Sequence, residues 1–251
     1  MKTVAIYSLK GGVGKTSLAV NLAWAAAARS GHRTLLWDLD AQAASTFILG
    51  GVGEGGQARA VLARDALADT LIRATAVPGL DLLPADNSLR TLDSFFAGLG
   101  KKRRLGRLTE QLGGRYHRVL LDCPPGLTET SEQILRAADL IVVPVIPSPL
   151  SRRALDAVVE HLNGLATASG RPRGTILPVF NMVDRRRLLH TAALAAEPRW
   201  PVVPMASAME MMAAHREPVF AFAPRSPAAV GIDALWTIVE RWLTREARSA
   251  A

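Results

Sequence analysis

Residues 3–38 read TVAIYSLKGGVGKTSLAVNLAWAAAARSGHRTLLWD. Residues 3–9 (TVAIYSL) are a short, β-branched apolar run and predict a buried strand. Residues 10–16 (KGGVGKT) form a glycine loop. Residues 17–29 (SLAVNLAWAAAAR) are alanine-rich at helical spacing, and Gly31 stops that helix. Residues 33–38 (RTLLWD) are a second strand. Strand, loop, helix and strand in that order make a βαβ unit, which implies parallel strands joined by a right-handed crossover.

Outward from that unit the pattern repeats. Further strands are predicted at residues 80–83, 117–121 and 140–145, at 175–180, and briefly near Val202. Helices fit residues 150–168 and 228–245 among others. Residues 50–79 begin glycine-rich and continue as an alanine-rich helix, so the glycines mark a loop and not a domain linker. The expectation is an α/β fold: a single doubly wound, mostly parallel sheet flanked by helices, with residues 1–251 as one domain.

Composition is consistent with this. The chain has 251 residues, of which 49% are hydrophobic and 21% charged, an ordinary globular balance. No apolar run reaches the roughly 18 residues of a membrane span, and MKTVAIYSLKGG lacks a signal-peptide pattern. The one cysteine, Cys123, excludes a disulfide framework, a cysteine zinc site and an iron–sulfur cluster held within one chain. Cys123 reads as a small buried hydrophobe, and a reducing cytosol is the expected compartment. Formal net charge is +8 and is unevenly spread. Residues 1–100 carry 9 Lys and Arg against 8 Asp and Glu, whereas residues 101–251 carry 21 against 14. A basic half suits a polyanionic partner, nucleic acid or an acidic membrane surface, and equally a solvated surface.

The glycine loop lies after a strand and before a helix, the context a phosphate-binding loop requires. Gly11, Gly12, Val13, Gly14, Lys15, Thr16 and Ser17 would wrap backbone N–H groups around an anion, aided by the helix N-terminus. Lys15 would reach the β- and γ-phosphates of a nucleotide, and the Thr16 hydroxyl would ligate Mg²⁺. Asp40 follows the second strand, at the sheet edge where open α/β folds bind ligands, and could orient a water near the γ-phosphate. Asp122 ends another apolar strand (VLLD) and could hold the Mg²⁺ shell through water.

The general phosphate-loop spacing has glycine where this chain has Lys10. The resulting K-G-G-V-G-K-T resembles the deviant Walker A motif of the ParA/MinD superfamily of P-loop ATPases. The resemblance implies that Lys10 crosses a dimer interface to the partner's phosphates. The segment DLDAQAAST is similar to the family's D-L-D-P-Q-G-N-A-T switch. Asp38, Asp40, Gln42 and Thr46 match, while Ala41 and Ala43 replace proline and glycine. Asp122 begins a match to the family's D-x-P-P segment, with the Gly126 N–H placed to sense the γ-phosphate. Asn181 matches an asparagine that contacts adenine, and Pro204 would border the base. On their own residues, Asn181 and Asp184 read equally well as turn chemistry. The family implies ATP and Mg²⁺, slow switch-type hydrolysis, homodimerisation on ATP, an activator or adaptor protein, and a cytoplasmic, nucleoid-associated location.

Two branches of that family differ in the surface they bind. A MinD-like protein uses a C-terminal amphipathic helix on membranes. Leu235, Trp236, Val239, Trp242 and Leu243 fall near helical spacing here, but packing on the sheet explains the same stripe and is favoured. A ParA-like protein binds nonspecific DNA through basic residues. Pro224-Arg225-Ser226 resembles the family's D-P-R-S segment and Asp184-Arg185-Arg186 its D-R-R segment. Arg187, Arg199 and Arg216 add to Arg185, Arg186 and Arg225 as candidate phosphate contacts. The expected function is therefore ParA-like positioning of a plasmid, chromosome or protein cargo, with a MinD-like membrane switch as alternative. A metabolic ligase-type P-loop enzyme, similar to dethiobiotin synthetase, is the reading from another class. A first strand at residue 3 leaves no helix-turn-helix expected ahead of it, and so no operator-specific repression.

Overall fold

The computed structural model describes residues 1–51, 57–63, 68–99, 103–169 and 174–249. In chain order the elements are β1 (Lys2–Ile6), α1 (Lys15–Ala28), β2 (Thr34–Asp38), α2 (Ala44–Ile48), α3 (Gln57–Ala63), α4 (Ala68–Leu71), β3 (Arg73–Ala74), β4 (Leu80–Leu83), α5 (Leu92–Leu99) and α6 (Arg104–Gln111). They continue with β5 (Arg118–Asp122), α7 (Glu129–Ala137), β6 (Leu140–Val145), α8 (Pro149–Ser169), β7 (Thr175–Val183), α9 (Leu188–Ala196), β8 (Val202–Pro204), α10 (Ser207–His215), α11 (Val219–Phe222) and α12 (Pro227–Ser249).

The strands form one sheet in the order β3-β4-β2-β5-β1-β6-β7-β8. Every pairing is parallel except that of β3 with β4. The sequence did not suggest β3, a two-residue edge strand antiparallel to β4. It follows α3 and α4, which the alanine-rich part of residues 50–79 supplies. Residues 52–56, most of the glycine-rich loop expected there, lie outside the described residues.

Both faces of the sheet are covered, which is why its strands read as unbroken apolar runs. Alternation decides which residue faces which side. Val4, Ile6, Leu36, Leu120 and Val142 pack under α1 and α12. Ala5, Tyr7, Leu35, Trp37, Leu121 and Val143 pack against the side chains of α6, α7 and α8. α1 is apolar nearly all round because it lies between the sheet and α12, and its alanines permit that close approach. The stripe on α12 is spent here too: Leu235, Trp236, Val239 and Leu243 are buried, and Trp242 packs against the same core. Trp236 also donates its indole N–H to Ser30 Oγ at 2.9 Å. Among the described residues no helix is long and apolar enough to cross a membrane.

The register sets the site. Ile6 on β1 and Asp38 on β2 are both paired with Asp122 on β5, so three strands end side by side. The β1–α1 loop, the β2–α2 loop and the segment after β5 therefore leave the same edge of the sheet.

Ala43, which opens α2, has φ 52° and ψ 36°. This left-handed conformation strains any residue with a Cβ, typically by about 1–2 kcal/mol. Ala43→Gly is expected to relieve the strain, less glycine's entropic cost. A net gain of about 1 kcal/mol would raise the melting temperature by roughly 2–4 °C in a chain of this size. A thermal melt of the two proteins checks it, and an unchanged or lower midpoint would refute the assignment of strain.

Candidate nucleotide and metal site

The β1–α1 loop is built around a close approach. Gly14 caps α1 with φ 84°, and a Cβ there would sit on the amide nitrogen of Asn181. That nitrogen is fixed, because it donates to the Val13 carbonyl at 2.8 Å and the side chain is buried. Only glycine serves at position 14, for its conformation and for this contact. The loop is thus held from outside by β7. Lys15 is buried and its Nζ donates to the Lys10 carbonyl at 3.3 Å, curling the loop on itself. The Lys10 side chain, by contrast, is exposed and carries no ion pair among the described residues.

Two carboxylates close the floor. Asp38 and Asp122 are adjacent in register and both fully buried. Asp38 Oδ2 accepts from the Thr46 N–H at 2.9 Å and the Thr46 hydroxyl at 2.8 Å, and Oδ1 accepts from the Asp40 N–H at 3.1 Å. Asp122 Oδ2 accepts from the Ser45 hydroxyl at 2.5 Å. Asp122 Oδ1 is buried with no hydrogen-bond partner. Burial pushes both acids above the usual carboxylate range. For Asp38 the neighbouring Asp122 charge adds to the rise. For Asp122 the Ser45 and Thr16 hydroxyls, and then the Lys15 charge, offset part of it.

An orphaned buried oxygen beside the Thr16 hydroxyl is what a cation would repair. Among the described residues no three His, Cys, Asp or Glu side chains cluster as a metal cage. The donor set therefore suits an ion that keeps most of its shell from water and phosphate, as Mg²⁺ does. Thr16 and Asp122 would hold it.

Asp40 is half-buried, and its Oδ1 accepts from the Gln42 N–H at 2.9 Å, which holds the carboxylate over the β2–α2 turn. Gly11 and Gly12 lie in the open turn, Ser17 is in the first turn of α1, and Gly126 has φ 96°. The Gly126 carbonyl accepts from the Tyr7 hydroxyl at 2.8 Å, and burial pushes Tyr7 up to about 12. Tyr7, Ser45 and Thr46 are the residues whose roles sequence reasoning missed. Thr46 carried a motif signal; the other two carried none beyond their place near strand ends. Asn181 is not in a turn after the strand: β7 runs on to Val183, so its side chain points to the loop from within the sheet. Pro204, the last residue of β8, lies one strand further out, beside Val183 in register.

The arginines separate into two groups. Arg185 and Arg225 are exposed and unpaired among the described residues. Arg186 is exposed but already forked onto Asp184, at 2.9 Å to Oδ1 and 3.0 Å to Oδ2. That guanidinium holds the Asp184 carboxyl down at about 2. Arg216 is likewise engaged: it stacks over Phe47 at 4.8 Å and donates from Nε to the Phe47 carbonyl at 3.2 Å, tying α10 to α2. These two were expected as free phosphate contacts. Carboxylate pairing and ring stacking already occupy them.

Comparison with known proteins gives a consistent result. A family model described as an AAA domain matches residues 1–171. The chromosome partitioning protein ParA of Caulobacter vibrioides is 35% identical over 208 residues, which cover 75% of this chain and 72% of that protein. Among solved structures, a Cyanothece McdA–ATP complex superposes with a TM-score of 0.81 at 20% identity, covering 94% of this chain and 95% of that one. Cobyrinic acid a,c-diamide synthase from Mycobacterium smegmatis, bound to an ATP analogue and magnesium, gives 0.80 at 24% identity, covering 96% and 95%. The two structural likenesses show the fold.

The orphaned oxygen yields a prediction. Asp122→Asn can keep its carbonyl toward Ser45 and turn its NH₂ to the unpaired side. Because the folded-state pKa of Asp122 is raised, the ligand-free protein loses stability as pH rises above the unfolded value of about 4. The variant is expected to melt higher than the parent at neutral pH, by an amount that shrinks toward pH 4. It should also lose the Mg²⁺-dependence of nucleotide binding. Melts across pH, with and without Mg²⁺, test both halves.

Proposed function

We propose that this chain, which belongs to the ParA/MinD family of P-loop ATPases, is a ParA-like positioning ATPase acting as one domain. It binds ATP with Mg²⁺ and pairs with a second copy. The paired form holds nonspecific DNA, and slow hydrolysis, stimulated by an adaptor, releases it. The observation that carries this reading is the pair of loop lysines. Lys15 turns inward onto its own loop, while the Lys10 side chain projects outward with no partner among the described residues. A cation displayed beside a phosphate loop but unused by it suits the phosphates of a second protomer.

The roles follow from position. Lys15 and the loop N–H groups neutralise the β- and γ-phosphates. Thr16 and Asp122 would hold Mg²⁺, which when bound supplies charge neutralisation between the phosphates. Asp40 orients the attacking water, since its carboxylate is half-exposed and held by the Gln42 N–H. Asn181 keeps the loop closed and Pro204 borders the nucleotide side of the β7–β8 edge. Catalysis of this kind depends on positioning and charge, so one such carboxylate suffices.

Two alternatives have less support. A MinD-like membrane switch needs an apolar helix face, and the α12 stripe is buried against the sheet. A ligase-type enzyme shares the fold, but likeness in fold does not carry an activity, and a partition-type relative is matched in sequence.

Three substitutions separate the roles. Lys15→Ala should weaken ATP binding about tenfold or more, the value of a charge-assisted contact in a desolvated site. Lys10→Ala should bind ATP but stay monomeric in light scattering. Asp40→Ala should bind ATP and pair, with kcat reduced. Near-normal affinity in Lys15→Ala would reject the phosphate-loop assignment.

DNA binding tests the surface. Affinity for unrelated duplexes should fall as salt rises, with a log–log slope of about −0.9 per neutralised phosphate. Arg225→Ala and Arg185→Ala should each flatten that slope by nearly one contact. Arg186→Ala should flatten it less, because Asp184 already occupies its guanidinium. Mobility shifts at several salt concentrations measure this, and ATP-loaded protein that sediments with anionic liposomes while ignoring DNA would favour the membrane branch.

A further inference from the structure

Where β6 and β7 end, at the same edge of the sheet that the phosphate loop leaves, the surface opens into a cavity of about 270 Å³. Val145 and Phe180 form its floor, Pro149 lies at one side and Leu189, Ala193 and Trp200 at the other. Its wall is preformed. Arg152 stacks over Trp200 at 5.4 Å while bonded to Glu197 at 2.5 Å and Asp156 at 3.2 Å, so its charge is consumed. Trp200 in turn leans on Phe180, with ring centroids 4.8 Å apart.

Large apolar side chains are left in water around this slot. Leu188 is 86% exposed, Leu189 59% and Leu150, next to Pro149, 70%. Scattered exposed leucines are ordinary, but a group of them around an apolar cavity marks a contact surface. The cavity lies just below the usual range of small-molecule pockets and has room for a large apolar side chain.

Its surroundings carry a sign. Arg153 adjoins Arg152, Arg199 adjoins Trp200, and Arg187 immediately precedes Leu188. All three are exposed, and their guanidinium groups have no partner among the described residues. Charge complementarity then selects the occupant. We propose that this slot docks an acidic segment of a partner protein, which inserts one leucine- or aromatic-sized side chain between α8 and α9. Nonspecific DNA would use the arginines but has no use for the apolar cavity, because backbone contacts are charge contacts. A buried apolar anchor with a polar rim is instead the usual anatomy of a protein contact.

The inference stands apart from the ATPase reading, since binding is measured without nucleotide. Selection of a random dodecapeptide library on the immobilised full chain is expected to enrich peptides with one large apolar residue flanked by Asp or Glu. A selected peptide should bind Ala193→Trp, which fills the slot, about tenfold more weakly or worse. Leu188→Asp, at a fully solvated position, should repel it with no change in the melting temperature. Arg153→Glu and Arg187→Glu should each weaken it several-fold, and more so at low salt. Equal affinity for Ala193→Trp and Leu188→Asp, enrichment of basic peptides, or no enrichment would overturn the proposal. So would duplex DNA that binds the arginine-rimmed face and displaces the peptide while both slot variants leave peptide binding unchanged.

Discussion

Two carboxylates without water govern the design of this molecule. Asp38 and Asp122 end neighbouring strands in register and are both fully buried. Such a pair is unfavourable unless hydrogen bonds and counter-charge offset the lost hydration. The rest of the site reads as that compensation. α2 is docked through Thr46 onto Asp38 and through Ser45 onto Asp122. Lys15 and Thr16 approach Asp122 from the other side. One oxygen is still left over, so the compensation is incomplete in the protein alone, and the proposed cation with its bound phosphates would complete it.

α2 carries much of that compensation. It is one short helix, entered through a strained alanine and held at its base by the Ser45 and Thr46 hydroxyls and the Thr46 N–H. At its far end Phe47 is clamped by Arg216 of α10. The phosphate loop is supported differently. Asn181 on β7 fastens Val13, and Asn21 of α1 accepts from the Val219 N–H at 2.9 Å and so ties the loop's helix to α11. The loop and α2 are thus tied to different parts of the fold, the loop to β7 and α11, and α2 to the two carboxylates and α10.

Net positive charge alone describes the surface poorly. Arg186, Arg216 and Arg152 are committed to Asp184, Phe47 and Glu197, whereas Arg185, Arg225, Arg153, Arg187 and Arg199 are free among the described residues. A guanidinium already forked onto a carboxylate offers a phosphate little, because the existing pair must break first. Counting arginines therefore overstates the face available to a polyanion, and the free ones divide between the proposed DNA contacts and the rim of the α8–α9 slot.

What the sequence determined by itself is local. Apolar periodicity and a glycine loop specify a strand, a turn and a helix within a few tens of residues, and Asp40 and Asp122 follow from their places at strand ends. The β7 boundary, the two-residue β3 and the left-handed backbone at Ala43 were hidden, because short edges and φ angles leave no pattern. The tertiary structure decided the rest. Ser45 meets Asp122 across 77 residues, Asn181 meets Val13 across 168 and Arg216 meets Phe47 across 169. Burial, pKa shifts and the committed or free state of an arginine are properties of such pairs. No window of sequence contains both members, so only the folded chain could define them.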